Sequence, residues 1–153
     1  MFLSKKQFYE IQQFRQIWIW LIILLIELVL LVPIISGIAN IFILIIVLLF
    51  GYGFPWLFYT MKLVTEVDKM SIRITFAPFT EFIIPFDTIK NYEIRKYRPI
   101  REYGGWGIRF NRHGKAYTVK GTLGLQMELT NGEKILIGTE NPDKLLMVLN
   151  KSI

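Results

Sequence analysis

Apolar positions follow two regimes along this chain. Between residues 17 and 59 they run almost unbroken, and those 43 residues carry one formal charge, Glu27. Elsewhere they come in short bursts cut by Gly, Pro, Asn and Asp. Residues 17–35 hold fifteen Ile, Leu or Val, with Trp18, Trp20, Glu27 and Pro33. Each central Ile or Leu favours insertion by about 0.5 kcal/mol, while one ionised acid opposes it by roughly 2.5–3.5 kcal/mol, so Glu27 does not veto a span. Nineteen helical residues reach about 28 Å, close to a hydrocarbon core of ~30 Å. Residues 38–58 reach about 31 Å by the same rise. Pro33, Ser36, Gly37 and Asn40 lie between the two runs, where a helix stops and turns. The pattern predicts a helical hairpin with spans at 17–35 and 38–58. One continuous helix of about 64 Å would match no bilayer, and the first run is too long, and lacks a small-residue cleavage site, for a signal peptide.

From residue 60 onward the pattern changes to short strands with turn signals. Strands are expected at 62–67, 71–76, 81–84, 89–97, 107–110, 116–119, 125–129 and 134–137. Asn131-Gly132 marks a hairpin between the last two. Asn141 as cap and Pro142 as first helical residue open a helix over 143–150, whose Leu145, Leu146, Val148 and Leu149 form an apolar face. The expected fold is a membrane α-helical hairpin followed by a mainly-β barrel or sandwich with a C-terminal helix. The expected organisation is an N-terminal cytosolic or interfacial segment at 1–16, the hairpin at 17–59 and a cytosolic domain at 60–153. In the first segment Phe8, Ile11, Gln12 and Arg15 fall at helical spacing, and Ser4 with Gln7 forms a capping-box pattern. That reads as a short interfacial helix or as an extension of the first span.

Composition and charge fix location more than role. The chain has 153 residues, 53% of them hydrophobic, and a net charge of +6; a soluble domain is about 45–50% apolar. With no cysteine, a disulfide scaffold and a thiolate zinc site are excluded. Lys5, Lys6 and Arg15 precede the first span, Lys62 and Lys69 follow the second, and the turn between is uncharged. The positive-inside rule therefore places both termini in the cytoplasm and the chain in the inner (plasma) membrane. Phe14, Trp18 and Trp20 open the first span, while Tyr52, Phe54, Trp56, Phe58 and Tyr59 close the second. In a hairpin these two clusters meet in one interfacial belt.

The strand order, the phrase Ile84-Pro85-Phe86-Asp87-Thr88-Ile89, the hairpin and the closing helix resemble bacterial pleckstrin-homology-like (PH-like) domains. The segment Arg98-Pro99-Ile100-Arg101-Glu102-Tyr103-Gly104-Gly105-Trp106-Gly107-Ile108-Arg109 is similar to one in a group of small, uncharacterised bacterial and archaeal membrane proteins. Gly132-Glu133-Lys134-Ile135-Leu136-Ile137-Gly138-Thr139, with Pro142 and Leu145, continues the likeness over roughly residues 17–150. The resemblance implies two spans followed by one PH-like domain; it implies no reaction, ligand or cofactor, and fold alone does not fix function.

Candidate chemistry concentrates in residues 90–120, with nine basic residues against two acidic, a net +7. A tethered basic face gains about 1 kcal/mol per Lys or Arg near an anionic leaflet. The candidate lipid-contact residues are Arg98, Arg101, Trp106, Arg109, Arg112 and Lys115; the competing reading is a solvated face that keeps the domain soluble and cytoplasmic. Trp106, among three glycines, reads as an interfacial anchor or a packing residue at a bulge. Glu27 is an intramembrane acid and a functional candidate by position, against a merely accommodated carboxyl. The one histidine, His113, sits in a turn pattern. No phosphate loop, metal spacing or telling acid pair is present, so the sequence points away from an enzyme, from a cofactor and from nucleic acid. It points instead to a membrane-anchored binding or assembly module, whose partners are the bilayer, anionic head groups, another protein or its own copies. The rival reading is an oligomeric transport or conductance component with Glu27 in its path.

Overall fold

The computed structural model describes residues 6–112 and 114–153; Ser4, Lys5 and His113 lie outside them. The chain divides into two compact units.

One unit is residues 14–61. Helix α1 (Ile17–Ile35) ends at Ser36-Gly37, where Gly37 takes φ +69°. Asn40 caps the next helix, its Oδ1 accepting from the Ile43 N–H at 3.0 Å, the role its turn position suggests. That helix, Ile41–Thr60, consists of α2 (Ile41–Leu48), a π-helical turn over Leu49–Gly53, and α3 (Phe54–Thr60). Both helices are long and apolar enough to cross a membrane. They fold back on each other, and the aromatic clusters expected to meet do so. Phe14 packs edge-on to Phe58 at 5.6 Å and Trp20 to Tyr59 at 6.4 Å. Arg15 lies 4.4 Å over the Tyr59 ring, a cation–π pair.

The other unit joins the N-terminal strand to Lys62–Ile153. Residues expected as an interfacial helix or a span extension instead form β1 (Phe8–Gln13). Its buried face is Phe8, Glu10 and Gln12. Two of those three are polar, so period-2 burial left no period-2 hydrophobicity to read. β1 heads an antiparallel meander, β1-β2-β3-β4, with β2 (Lys62–Val67), β3 (Ser71–Ala77) and β4 (Thr80–Pro85). Ile72, Ile74 and Phe76 of β3 point inward and are fully buried. Asp68 shapes the β2–β3 turn by accepting from the Met70 and Ser71 N–H groups at 2.8 and 2.9 Å. Gln13 pairs with Lys62 in the β1–β2 ladder, so the chain leaves this unit and returns to it at neighbouring positions.

The second sheet has the order β5-β8-β9-β7-β6. Its strands are β5 (Ile89–Lys96), β6 (Gly107–Asn111), β7 (Gly114–Thr118), β8 (Leu123–Leu129) and β9 (Lys134–Gly138). All pairs are antiparallel except β7–β9. There Gly114, φ +109°, lets the chains close up: a Cβ on it would stand 2.1 Å from the Lys134 carbonyl oxygen. A five-residue helix, α4 (Pro99–Tyr103), occupies a stretch the pattern left as coil. The closing helix α5 (Pro142–Ser152) buries Leu145 and Leu149 and lies against β1, β5 and β8, bridging both sheets. Asn141 holds the cap position as expected, but its side chain makes no cap bond; its Nδ2 donates to Glu10 Oε2 at 3.3 Å instead.

Candidate membrane-contact site

Pro99 starts α4 where its missing N–H is not needed. Gly104 ends it in the left-handed region, φ +70°, with the Gly104 and Gly105 N–H groups each donating at 2.9 Å to the Ile100 and Pro99 carbonyls, a glycine-closed helix end. Glu102 organises the surroundings: its Oε1 accepts from the Arg98 backbone N–H at 2.8 Å and its Oε2 from Arg95 Nη1 at 2.9 Å. Arg95 also donates to Gln126 Oε1 at 3.1 Å and to the Tyr103 hydroxyl at 3.2 Å. Burial works against the Arg95 charge, yet Glu102 more than compensates and its pKa lies above the ordinary value. Burial raises the Tyr103 pKa, with Arg95 pulling the other way. Asn111, at the end of β6, donates to the Glu102 carbonyl, so α4 and β6 lie side by side.

This arrangement sorts the basic residues. Lys90 pairs with Glu128 at 3.1 Å, Arg95 with Glu102 at 2.9 Å and Lys120 with Glu140 at 2.9 Å. Lys115, a candidate contact residue, pairs with Glu133, and that hydrogen bond raises its pKa. Among the described residues Arg98, Arg101, Arg109 and Arg112 form no ion pair and are exposed; the first two belong to α4 and its cap, the last two to β6 and its turn. Trp106 is half-buried, not a core residue: its Nε1 donates to the Gly121 carbonyl at 3.1 Å, and its own carbonyl accepts from Arg109 Nε at 3.2 Å.

Two residues that the pattern passed over complete the site. Ile100 and Phe110 are 72% and 69% exposed, each between two of the free arginines. Ile100 follows Pro99 just after a strand, where no periodicity marks it. Phe110 stands on β6, an edge strand, and alternation along a strand cannot reveal that the strand lies at a sheet edge. A cleft of about 900 Å³ opens nearby where Arg95, Glu102, Phe110, Arg112, Lys115 and Glu133 meet. Its lining carries as many acids as bases, so it exerts no net pull on an anion. Among the described residues no group of three or more His, Cys, Asp or Glu could hold a metal ion.

Two further carboxylates are withdrawn from solvent, Glu10 fully and Glu27 in part. Glu10, 6% exposed, accepts from Gln12 Nε2 at 2.5 Å, Thr139 Oγ1 at 2.8 Å and the Glu140 N–H at 2.9 Å. It pins β1 to the loop before α5, and its position in a polar-looking segment gave no sequence signal. Glu27 in α1 faces Gly51 of the second long helix, where a Cβ would lie 3.1 Å from Glu27 Oε2.

Neither a curated protein nor a solved structure matches the chain. The family model that matches it spans residues 6–153, strand β1 included, and the chain belongs to that family, DUF6141, a family of unknown function.

Proposed function

We propose that this protein is a membrane-anchored binding module of the PH-like kind, which docks its α4–β6 surface on the anionic face of the bilayer that holds it. The hairpin is the anchor. Its helices expose large apolar side chains such as Leu25, Val29, Ile35 and Phe42, an arrangement that suits lipid and not water. The pairing of Gln13 with Lys62 favours an even number of crossings, in line with both termini in the cytoplasm at the inner membrane. The observation that carries the docking reading is the pair of Arg–apolar–Arg motifs, Arg98–Ile100–Arg101 and Arg109–Phe110–Arg112, on adjacent elements, with the one acid among them, Glu102, held by Arg95 and the Arg98 backbone N–H. Four such arginines gain about 1 kcal/mol each near an anionic surface. A partly inserted Ile or Phe adds roughly 1–2 kcal/mol. Tethering removes the cost of a bimolecular encounter, so even weak docking is populated.

The test is backbone hydrogen exchange of the full chain in nanodiscs. In discs containing anionic lipid, amides of residues 98–112 exchange more slowly than in zwitterionic discs. Replacing Arg98, Arg101, Arg109 and Arg112 together by Ala abolishes the difference. Equal exchange in the two lipids refutes the reading.

A further inference from the structure

The meander β1-β2-β3-β4 has two ends of different character. At one end the chain departs for the apolar helices after Gln13 and comes back at Lys62, and these two are register partners. Lys62 stands two residues after Thr60, the last residue of the second long helix, and Gln13 four before Ile17, the first of α1. By chain length alone they lie within about 7 and 14 Å of a helix end. Lys62 also pairs with Ala77 of β3. The β3–β4 turn, Pro78-Phe79, therefore opens at this same end, about 5–10 Å to the side at one to two strand spacings. No charged residue occurs between Arg73 and Glu81. The β2–β3 turn, at the other end, carries Asp68 and Lys69. Phe79 is fixed within its turn. Its N–H donates to the Phe76 carbonyl at 2.8 Å, and its ring leans on the Phe76 ring at 6.4 Å. Phe76 is fully buried, whereas Phe79 stays 55% exposed. One side of the ring closes the core and the other faces away from it.

We propose that Phe79 is a third attachment of this unit to the bilayer, its free side resting in the lipid interface near the points where the chain enters and leaves. The partner is the boundary between head groups and acyl chains, which accepts an aromatic ring whatever the head-group charge. The uncharged turn permits the approach, because no ion has to leave water. The two covalent links hold the β1–β2 side alone. A contact at the β3–β4 turn extends the footing across the sheet and resists tilt toward β4. This attachment rests on the two helices being membrane spans, and not on docking of the α4–β6 surface.

Because the chain has no cysteine, one introduced thiol carries a fluorescent label at a single place. In the full chain in nanodiscs, Phe79→Cys carries the label, and Met70→Cys, exposed in the opposite turn, is its reference. A nitroxide on the lipid acyl chain near the head groups is expected to quench the label at 79 several-fold more than the label at 70, and aqueous iodide the reverse. The same pattern is expected in zwitterionic and anionic discs, and after Arg98, Arg101, Arg109 and Arg112 are replaced by Ala. Glu81→Cys, two residues along β4, leaves Phe79 in place and serves if Phe79→Cys disturbs the fold. Its lipid quenching exceeds that at 70, and adding Phe79→Ser lowers it several-fold. Equal access of iodide to 79 and 70 overturns the attachment. So does lipid quenching at 79 that appears in anionic discs only, which would make it a by-product of α4–β6 docking, and so does quenching at 81 that Phe79→Ser leaves unchanged. A label at Val29→Cys, inside α1, that is open to iodide overturns the spans and this attachment with them.

Discussion

Strand β1 precedes the hairpin in the sequence and every other strand follows it, and two shortened chains isolate what it contributes. One begins at residue 60 and lacks β1. The other omits residues 14–61 and joins Gln13 to Lys62 through Asn-Gly, a two-residue turn suited to closing an antiparallel pair; those residues are already register partners. Without β1 the unit loses the burial of Phe8, which is 3% exposed, at about 2–3 kcal/mol. It also loses the Glu10 carboxylate, leaving the Thr139 hydroxyl and the Glu140 N–H without their acceptor at about 1–3 kcal/mol each. The ladder bonds of β1, about 1 kcal/mol apiece, are offset by the ordering of its own backbone at about 1–2 kcal/mol per residue. The net loss is about 5 kcal/mol, comparable with the whole stability of a typical domain, roughly 5–15 kcal/mol. Urea unfolding followed by far-UV circular dichroism measures it. With a slope near 2 kcal/mol/M the chain from residue 60 is expected to unfold roughly 2 M earlier than the joined chain, or to be unfolded at the outset. Coincident midpoints would show β1 to be an appendage and refute the reasoning.

Other consequences are open to the same kind of measurement. Gly114→Ala forces a Cβ to 2.1 Å from the Lys134 carbonyl at φ +109°, so it should cost more than about 3 kcal/mol by parting β7 from β9; an unchanged urea midpoint would contradict this. Burial pushes the Tyr97 hydroxyl up to about 12 from 10.0. The folded state then holds a proton that the unfolded state releases, and stability present below about pH 10 falls by roughly 2–3 kcal/mol as pH rises to about 12. Tyr97→Phe should remove that part of the slope in alkaline unfolding curves. Ile100→Ser with Phe110→Ser should leave stability within about 0.5 kcal/mol yet weaken protection of residues 98–112 in anionic nanodiscs; full protection would assign the docking to charge alone.

Elements with strong periodicity were legible. The β2 strand falls on 62–67 as expected, and the remaining expected strands have counterparts shifted at their ends. The apolar runs are the two long helices, with the second starting at Ile41 because Asn40 caps it. What was illegible has a common physical cause: the signal lay in a partner distant in sequence. Glu10 and Gln12 look like surface residues until β1 meets β2 and the loop before α5, more than a hundred residues later. In α4 the stabilising groups are Arg95 and Asn111, on two different strands; a window centred on Pro99 holds Arg95 without showing that it turns back to Glu102, and it does not reach Asn111.

The candidate surface divides the same way, and the division bears on how basic patches are read. Nine basic residues in one stretch suggested one surface, but a sheet sends successive side chains to opposite faces and puts acids from other strands across from some of them. Glu128 and Glu133 neutralise Lys90 and Lys115 from the hairpin around Asn131-Gly132, and Glu140 takes Lys120. Four of the free arginines are those on α4, its cap, edge strand β6 and its turn, where no further strand follows to supply an acid. The Glu102 carboxylate, which could have served Arg98 or Arg101, is committed to the Arg98 backbone N–H and to Arg95. Freedom of charge here is thus a consequence of topology, with the edge strand and the short helix as its cause. Ile100 and Phe110 are exposed for the same reason, since an edge strand and a one-turn helix leave them nothing to pack against. A surface that the fold leaves both unneutralised and uncovered is complementary to an anionic bilayer in both respects, which a merely solvated basic face is not.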